Sequence, residues 1–564
     1  MKPRSEIIQN AARSVYDVCV IGGGASGAGC ALDSQLRGFK TILIDAGDFG
    51  SGTSTASTKL IHGGLRYLQQ AVTEFDIAQY RVVRVALRER RLMMNNAPFL
   101  SRPCEFVVPC YSFLEAAYYD VGLKLYDWLS GGASLSPSRF VNRMKSLTLM
   151  PSLKGQNLFG TVVYSDGQFD DARYNLALVQ SCLASGGEAM NYARLLEFET
   201  NPDGRIIAAS IEDRLSKQQF RLAARAFINA TGPFSDHLRA LAGNMNERIV
   251  LSKGVHILLP LPEEFGNDAL LIPKTDDGRV IFAIPWQERL LVGTTETEST
   301  LATEMIVTRE EAEFLLRHVN RYLVTRFEIR DIVSAIAGLR PLVRSRSSRK
   351  TKKLIRDYEI EVDRRSGLIS VLGGKWTVYR AMAEDAINAV QKLLTGRVTD
   401  SRTRNYPLWG AQDDSASVEV MAATYRMPRS TMRHLTEKFG GRRALILELI
   451  RENAALASPI IDGSPHIHAE VVYSVREESA VCIEDILSRR LGLQFYDWRL
   501  AAHAAPVVGE ILAKELGWST AQTKSEVDGY VDRINRCLEA LGQEPVRVVD
   551  MHKENINDEL HRRA

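Results

Sequence analysis

Thirty residues near the start restrict this chain's folding more than any other stretch. Tyr16-Asp-Val-Cys-Val-Ile21 is a short β-rich apolar run that passes straight into Gly22-Gly-Gly-Ala-Ser-Gly27 and then into a helical stretch that Gly38 ends. Phe39 to Ile44 reads as a second strand closing on Asp45. Strand, glycine turn, helix, strand and acid together make a βαβ unit. Within Gly22-x-Gly24-x-x-Gly27, with Gly23 inside it, the glycines permit a tight turn, backbone approach to a pyrophosphate and close helix packing. The helix N-terminus adds amide donors and the positive end of its dipole. Asp45, eighteen residues beyond Gly27, is placed for ribose hydroxyls, and an acid there disfavours a 2′-phosphate. FAD and NAD share this fingerprint, so the unit alone does not choose between them.

The remaining composition excludes several classes. Lys and Arg number 71 against 68 Asp and Glu, a net charge of +3, without the basic excess of a nucleic-acid binder. At 564 residues and 45% hydrophobic content, two to four ordinary globular domains are expected. No run reaches the ~18 apolar residues of a spanning helix, and the most apolar early stretch, Val18 to Leu32, is broken by five glycines. An integral membrane protein is not expected. Residues 1–14 carry Lys2, Arg4 and Arg13 without an apolar signal core, which leaves a short import segment open. Seven scattered cysteines without C-x-x-C spacing read as reduced thiols in a reducing compartment.

Farther on, Glu74 to Ala97 has helical spacing on one face and arginines on the other, and Tyr111 to Trp128 is rich in aromatics. Asp170 to Gly186 reads as a helix, and Phe227-Ile-Asn-Ala-Thr-Gly232 as a buried strand ending on a glycine turn. From Val250 to Gly293 the pattern alternates and carries prolines, the mark of an antiparallel sheet. Beyond residue 400 helical spacing dominates.

More specific is Ser54-Thr-Ala-Ser-Thr-Lys-Leu-Ile-His-Gly-Gly-Leu-Arg-Tyr-Leu68, which resembles the signature of FAD-dependent glycerol-3-phosphate dehydrogenases. So do Leu251-Ser-Lys-Gly-Val-His-Ile257, Ile284-Pro-Trp286 with Gly293-Thr-Thr295, Gly338-Leu-Arg-Pro-Leu342, Ile355-Arg-Asp-Tyr358 and Gly373-Gly-Lys-Trp-Thr377, in the same order as in that family. The resemblance implies an α/β FAD-binding Rossmann-like domain, an antiparallel-sheet (α+β) substrate domain and a C-terminal all-helical domain. The expected ranges are 16–95, 155–240 and 335–395 for FAD, 96–154 and 241–334 for the substrate or cap domain, 400–552 for the helices, and 553–564 for a polar tail. It also implies non-covalent FAD, hydride transfer from C2 of sn-glycerol 3-phosphate to flavin N5 giving dihydroxyacetone phosphate, and a quinone as acceptor. The implied location is peripheral, on the cytoplasmic face of a membrane, or on the mitochondrial inner membrane in a eukaryote. A glycerol-3-phosphate oxidase using oxygen is the alternative, and a homodimer is left open.

That chemistry needs a base, a path to the flavin and cations for the phosphate. His256, beside Lys253, is the expected base, because an imidazole titrates near neutrality. His62, expected beneath the flavin, is the competing choice. Arg340 and Arg356 are the first candidates for the phosphate and Arg66 and Lys375 the second, with hydroxyl contacts from Tyr67 and Thr295. Arg340 and Lys375 also suit a place facing the flavin, where positive charge favours the anionic reduced ring. The motifs further imply cofactor contacts from Ser54, Ser57, Thr58, Lys59, Leu60, Gly63, Thr231, Gly232, Gly338, Gly374 and Thr377. Three features depart from the family: Val378 stands where threonine is usual, Glu296 where aspartate is usual, and six cations crowd Arg344 to Lys353. His466-x-His468 reads as a solvent-facing loop, and no metal site is expected.

Overall fold

The computed structural model describes residues 3–64, 77–131, 135–301, 305–344, 358–412 and 417–547. Arg66, Tyr67, Arg356, most of the basic run and the 553–564 tail lie outside them.

The glycine-turn unit is built as its sequence requires. Val15–Ile21 pairs in parallel with Thr41–Ile44 on one side and Gln219–Asn229 on the other, and helix Ala25–Leu36 crosses between the first two. The eight-stranded sheet runs Tyr358–Val362, Ile369–Gly373, Gln219–Asn229, Val15–Ile21, Thr41–Ile44, Glu188–Met190, and strands Ala193–Thr200 and Ile206–Asp213 join beside Gln219–Asn229. Successive side chains of a strand point to opposite faces. Val18 and Val20 therefore pack with Ala28, Leu32 and Leu176, whereas Cys19 and Ile21 pack with Ile7, Ile8 and Ala11 of helix Arg4–Arg13. Both faces are covered, which is why the strand reads as a continuous apolar run. Residues 1–14 show only scattered charge in sequence; in the structure Arg4–Arg13 is an amphipathic helix tied down by an Arg4–Asp213 ion pair of 2.6 Å.

The second sheet has ten strands, in the order Thr297–Ser299, Ile249–Pro260, Arg289–Gly293, Ile281–Trp286, Ala269–Ile272, Ser101–Cys110, Gly160–Phe169, Leu60–Ile61, with Ser334–Val343 and Arg139–Asn142 alongside. Its pairings are antiparallel except between Ala269–Ile272 and Ser101–Cys110. Three of these strands fall in ranges expected to belong to the nucleotide domain: Leu60–Ile61, Gly160–Phe169 and Ser334–Val343. Their hydrogen bonds place them here instead, with Gly160–Phe169 pairing Ser101–Cys110 over ten residues. Ladder partners 50 to 108 residues away leave no local mark in the sequence.

One face of this sheet, through Val255, Ile257, Leu259 and Val292, packs on helix Arg309–Tyr322 and on Leu487, Trp498 and Ala501 of the C-terminal helices. Those helices run from Val418–Tyr425 to Thr520–Ala540, with a wide π turn at Asp485–Arg490. No disulfide links any of the seven cysteines, all of them among the described residues, and five are buried. Among the described residues no helix is long and apolar enough to cross a membrane.

Candidate active site

The glycine turn is as tight as its sequence suggests. A Cβ on Gly27 would stand 1.7 Å from the Gly22 carbonyl oxygen, and one on Gly22, at φ +104°, 2.5 Å from that of Ala230. Asp45, at the end of its strand, accepts from Gly47 N (2.7 Å) and Gly23 N (2.5 Å). Burial, only partly offset by those two donors, pushes its carboxyl up to about 6. Ser54 Oγ accepts from Ala25 N at the first turn of the helix (2.9 Å), the end whose dipole favours an anion. Thr231 is hydrogen-bonded to Asn229 and, with Gly232, follows the third parallel strand at the same sheet edge.

From Ser54 the chain runs onto the second sheet, and side-chain chemistry gathers there. Thr53 Oγ1 donates to Leu339 O (2.6 Å), and a Cβ on Gly338 would lie 2.4 Å from Ala56 Cβ, so glycine lets loop and strand touch. Gly338, Arg340 and His256 share one face: the register pairs Ser252 with Arg340, Gly254 with Gly338 and His256 with Ile336. Bare backbone makes room for both side chains. A Cβ on Gly254 would meet the Arg340 guanidinium at 2.3 Å, and one on Gly293 would meet His256 Cδ2 at 2.2 Å.

His256 is buried, its Nε2 is 2.9 Å from Thr58 Oγ1, and its Nδ1 is buried with no hydrogen-bond partner. Burial first, then the charges of Arg340 and Lys59, push the imidazole down to about 3, so it is neutral at physiological pH. Arg340 is oriented from behind, Nη2 donating to Thr294 Oγ1 (2.7 Å) and Nη1 to Thr295 O (3.1 Å). The Gly373–Thr377 turn closes the other side. Trp376 Nε1 donates to Ser54 O (2.7 Å), Thr377 Oγ1 bridges His62 N and O (3.2 Å each), and Lys375 Nζ lies 3.4 Å from Gly63 O. Gly374, at φ +90°, leaves no room for a Cβ beside Met382 Sδ.

Several of the expected residues have side chains engaged within the protein. Lys253 alternates to the opposite face from His256 and pairs with Glu311 (2.8 Å), away from any phosphate near Arg340. Lys59 Nζ is fully buried, paired with Asp171 (2.5 Å) and lying over the rings of Phe495 and Trp286. Ser57 Oγ likewise donates to Asp171 (2.6 Å), and Leu60 belongs to a buried two-residue strand. Thr295 Oγ1 accepts from Val255 N (3.1 Å), so this residue positions Arg340 through its carbonyl. His466 is no solvent-facing residue: it packs on His434 with ring centroids 4.4 Å apart and contacts Ser464 Oγ (2.8 Å). Among the described residues no group of three His, Cys, Asp or Glu is arranged to hold a metal.

Asp171 carries no functional mark in the sequence, yet two side chains of the loop converge on it. It gathers Ser57 and Lys59 and thereby sets the loop that carries Thr58 to His256. In sequence it follows Asp170, which caps the helix Asp171–Ala184, and two acids at a helix start read simply as capping.

The FAD dependent oxidoreductase family matches residues 17–414, and the C-terminal domain of alpha-glycerophosphate oxidase matches residues 401–523. The chain is thus an FAD-dependent oxidoreductase, and the glycine turn and the buried acid that accepts from it fit that cofactor. A probable mitochondrial glycerol-3-phosphate dehydrogenase of Caenorhabditis elegans is 38% identical over 538 residues, 93% of this chain and 74% of that protein. The mitochondrial glycerol-3-phosphate dehydrogenase of Homo sapiens is 38% identical over 91% of this chain and 72% of its own length. The solved glycerol-3-phosphate dehydrogenase of Bacillus halodurans, complexed with FAD, superposes with a TM-score of 0.78 at 26% identity, covering 96% of this chain and 98% of that one. Within the flavoprotein oxidoreductases, this chain belongs to the glycerol-3-phosphate dehydrogenase family.

Proposed function

We propose that the protein oxidises sn-glycerol 3-phosphate to dihydroxyacetone phosphate and passes the electrons to a membrane quinone. The observation that carries this reading is the pairing, on one sheet face, of a buried neutral imidazole with an anchored guanidinium. FAD, when bound, supplies the two-electron acceptor for the C2 hydrogen. In the tautomer whose Nε2–H donates to Thr58 Oγ1, His256 keeps the Nδ1 lone pair for the substrate's hydroxyl proton. Arg340, held by Thr294 and Thr295, presents its planar fork to the phosphate. A phosphate dianion there offsets the Arg340 charge that depresses His256, so substrate binding itself strengthens the base. His62 and Lys375, tied to each other's loops through Thr377 and Gly63, shape the flavin side.

Support for a peripheral membrane location comes from helix Phe113–Ser130, where Leu114, Tyr118, Val121 and Trp128 form a stripe at helical spacing, each more than half exposed. An apolar stripe of that kind suits a helix lying in a bilayer interface. On this reading the protein sits on the cytoplasmic face of the membrane, or on the mitochondrial inner membrane if the source is eukaryotic.

The test is anaerobic addition of sn-glycerol 3-phosphate to the yellow holoprotein, followed by reoxidation with a soluble quinone analogue or with air. Bleaching and fast quinone reoxidation are expected. Retention of the oxidised spectrum overturns the substrate assignment, and peroxide released as fast as substrate is consumed makes the protein an oxidase.

A further inference from the structure

The segment from Asp45 to Gly50 wraps the glycine turn. Asp45 accepts from Gly23 N, Gly50 N donates to Gly23 O (3.1 Å), and the buried Phe49 ring would stand 2.6 Å from a Cβ on Gly23. In its middle sits Asp48, whose side chain is fully buried. Arg489 Nε donates to its Oδ2 (2.5 Å), Arg490 Nη2 to its Oδ1 (2.9 Å) and Asn191 Nδ2 also to Oδ1 (3.1 Å); Arg490 Nη1 contacts Oδ2 as well. Both arginines belong to the wide turn Asp485–Arg490 of the C-terminal domain, more than 400 residues along the chain. Each is anchored from behind, Arg489 by Asp485 (2.6 Å) and Arg490 by the Glu478 carbonyl (2.6 Å). Burial alone would push the Asp48 carboxyl up, but the charges of Arg490 and Arg489 outweigh it and hold it below the ordinary carboxylate range.

We propose that the C-terminal domain latches the FAD site: Arg489 and Arg490, acting through Asp48, hold the 45–50 segment closed on the glycine turn, so that cofactor retention depends on this domain. The three are positioning residues. Removing one partner of such a cluster leaves an uncompensated buried charge, and the cheapest relief is to swing the segment that bears Asp48 out to water. That segment carries Asp45 and Phe49 with it, and the turn loses its cover.

The test uses holoprotein. Asp48→Asn, Arg490→Met and the conservative Arg490→Lys are compared with Arg289→Ala. The last variant removes a different contact with the C-terminal domain, that of Arg289 with the Tyr496 carbonyl (3.1 Å) and ring, and leaves 45–50 untouched. FAD release is followed by recovery of flavin fluorescence on dilution, and the folding of each apoprotein by thermal circular dichroism. Asp48→Asn and Arg490→Met are expected to release FAD at least about tenfold faster. Arg490→Lys should fall between them and the parent, and excess FAD should restore turnover without changing KM for glycerol 3-phosphate. Arg289→Ala lowers the thermal midpoint with FAD release unchanged. Should Arg490→Met fail to fold, Asp48→Asn carries the test. Parental FAD release in Asp48→Asn, or an equal acceleration in Arg289→Ala, overturns the proposal.

Discussion

Gly293→Ala puts the base assignment to its sharpest trial. The new methyl would stand 2.2 Å from His256 Cδ2 and 2.8 Å from Cγ, where unbonded carbons rest at ~3.5–4.0 Å. The imidazole must therefore move by more than about 1 Å, or the two strands must part. Overpacking of this kind costs ~1–3 kcal/mol of stability, and loss of the 2.9 Å Thr58 contact about 1 kcal/mol more. The larger effect falls on rate: displacing a reacting group by about 1 Å can cost roughly 100-fold. Stopped-flow bleaching by glycerol 3-phosphate should slow about 100-fold, while FAD content stays near that of the parent because Gly293 belongs to the second sheet and the glycine turn follows a strand of the first. Bleaching within about twofold of the parent would refute the claim that His256 takes the substrate proton.

Asp171→Asn leaves Lys59 charged and unpaired in the interior, so urea denaturation should show a loss of ~3–5 kcal/mol, with part recovered in the double variant Asp171→Asn, Lys59→Met. A methyl on Gly27 cannot coexist with the Gly22 carbonyl, and Gly27→Ala should purify colourless; a yellow variant refutes this account of the turn. The unfolded chain protonates His256 near 6.5 but the folded protein resists down to about 3, so this group's contribution to stability is complete above 6.5 and is lost as pH falls toward 3. Between pH 7 and pH 5 the parent should lose about 2 kcal/mol more than His256→Gln, read from denaturant curves, and equal losses would contradict the burial of a neutral ring.

What could be read from the sequence was what is encoded locally. The βαβ unit announces itself because strand, turn, helix and acid lie within thirty residues, and each obeys a short-range rule. The order of the motifs around Thr58, His256, Arg340 and Lys375 marks those residues as candidates for one site. Lys253 escaped because its role turns on strand parity: three positions before His256, it must point the other way once the register with Ser334–Val343 is set. Lys59 and Asp171 escaped for another reason, since a buried ion pair joins residues 112 apart with no pattern to link them. Sheet membership of Leu60–Ile61 and Gly160–Phe169 was hidden in the same way, and so was the arginine pair on Asp48.

The ladder between Ile249–Pro260 and Ser334–Val343 runs unbroken through ten facing pairs. It acts as a ruler that fixes the spacing of His256 and Arg340. Adding or deleting a single residue inside either strand would not merely lengthen or shorten it; it would turn His256 or Arg340 toward the C-terminal helices and strand a charge or an imidazole in hydrocarbon. Natural length variation among relatives should thus gather at the hairpin 273–280 and spare these two strands.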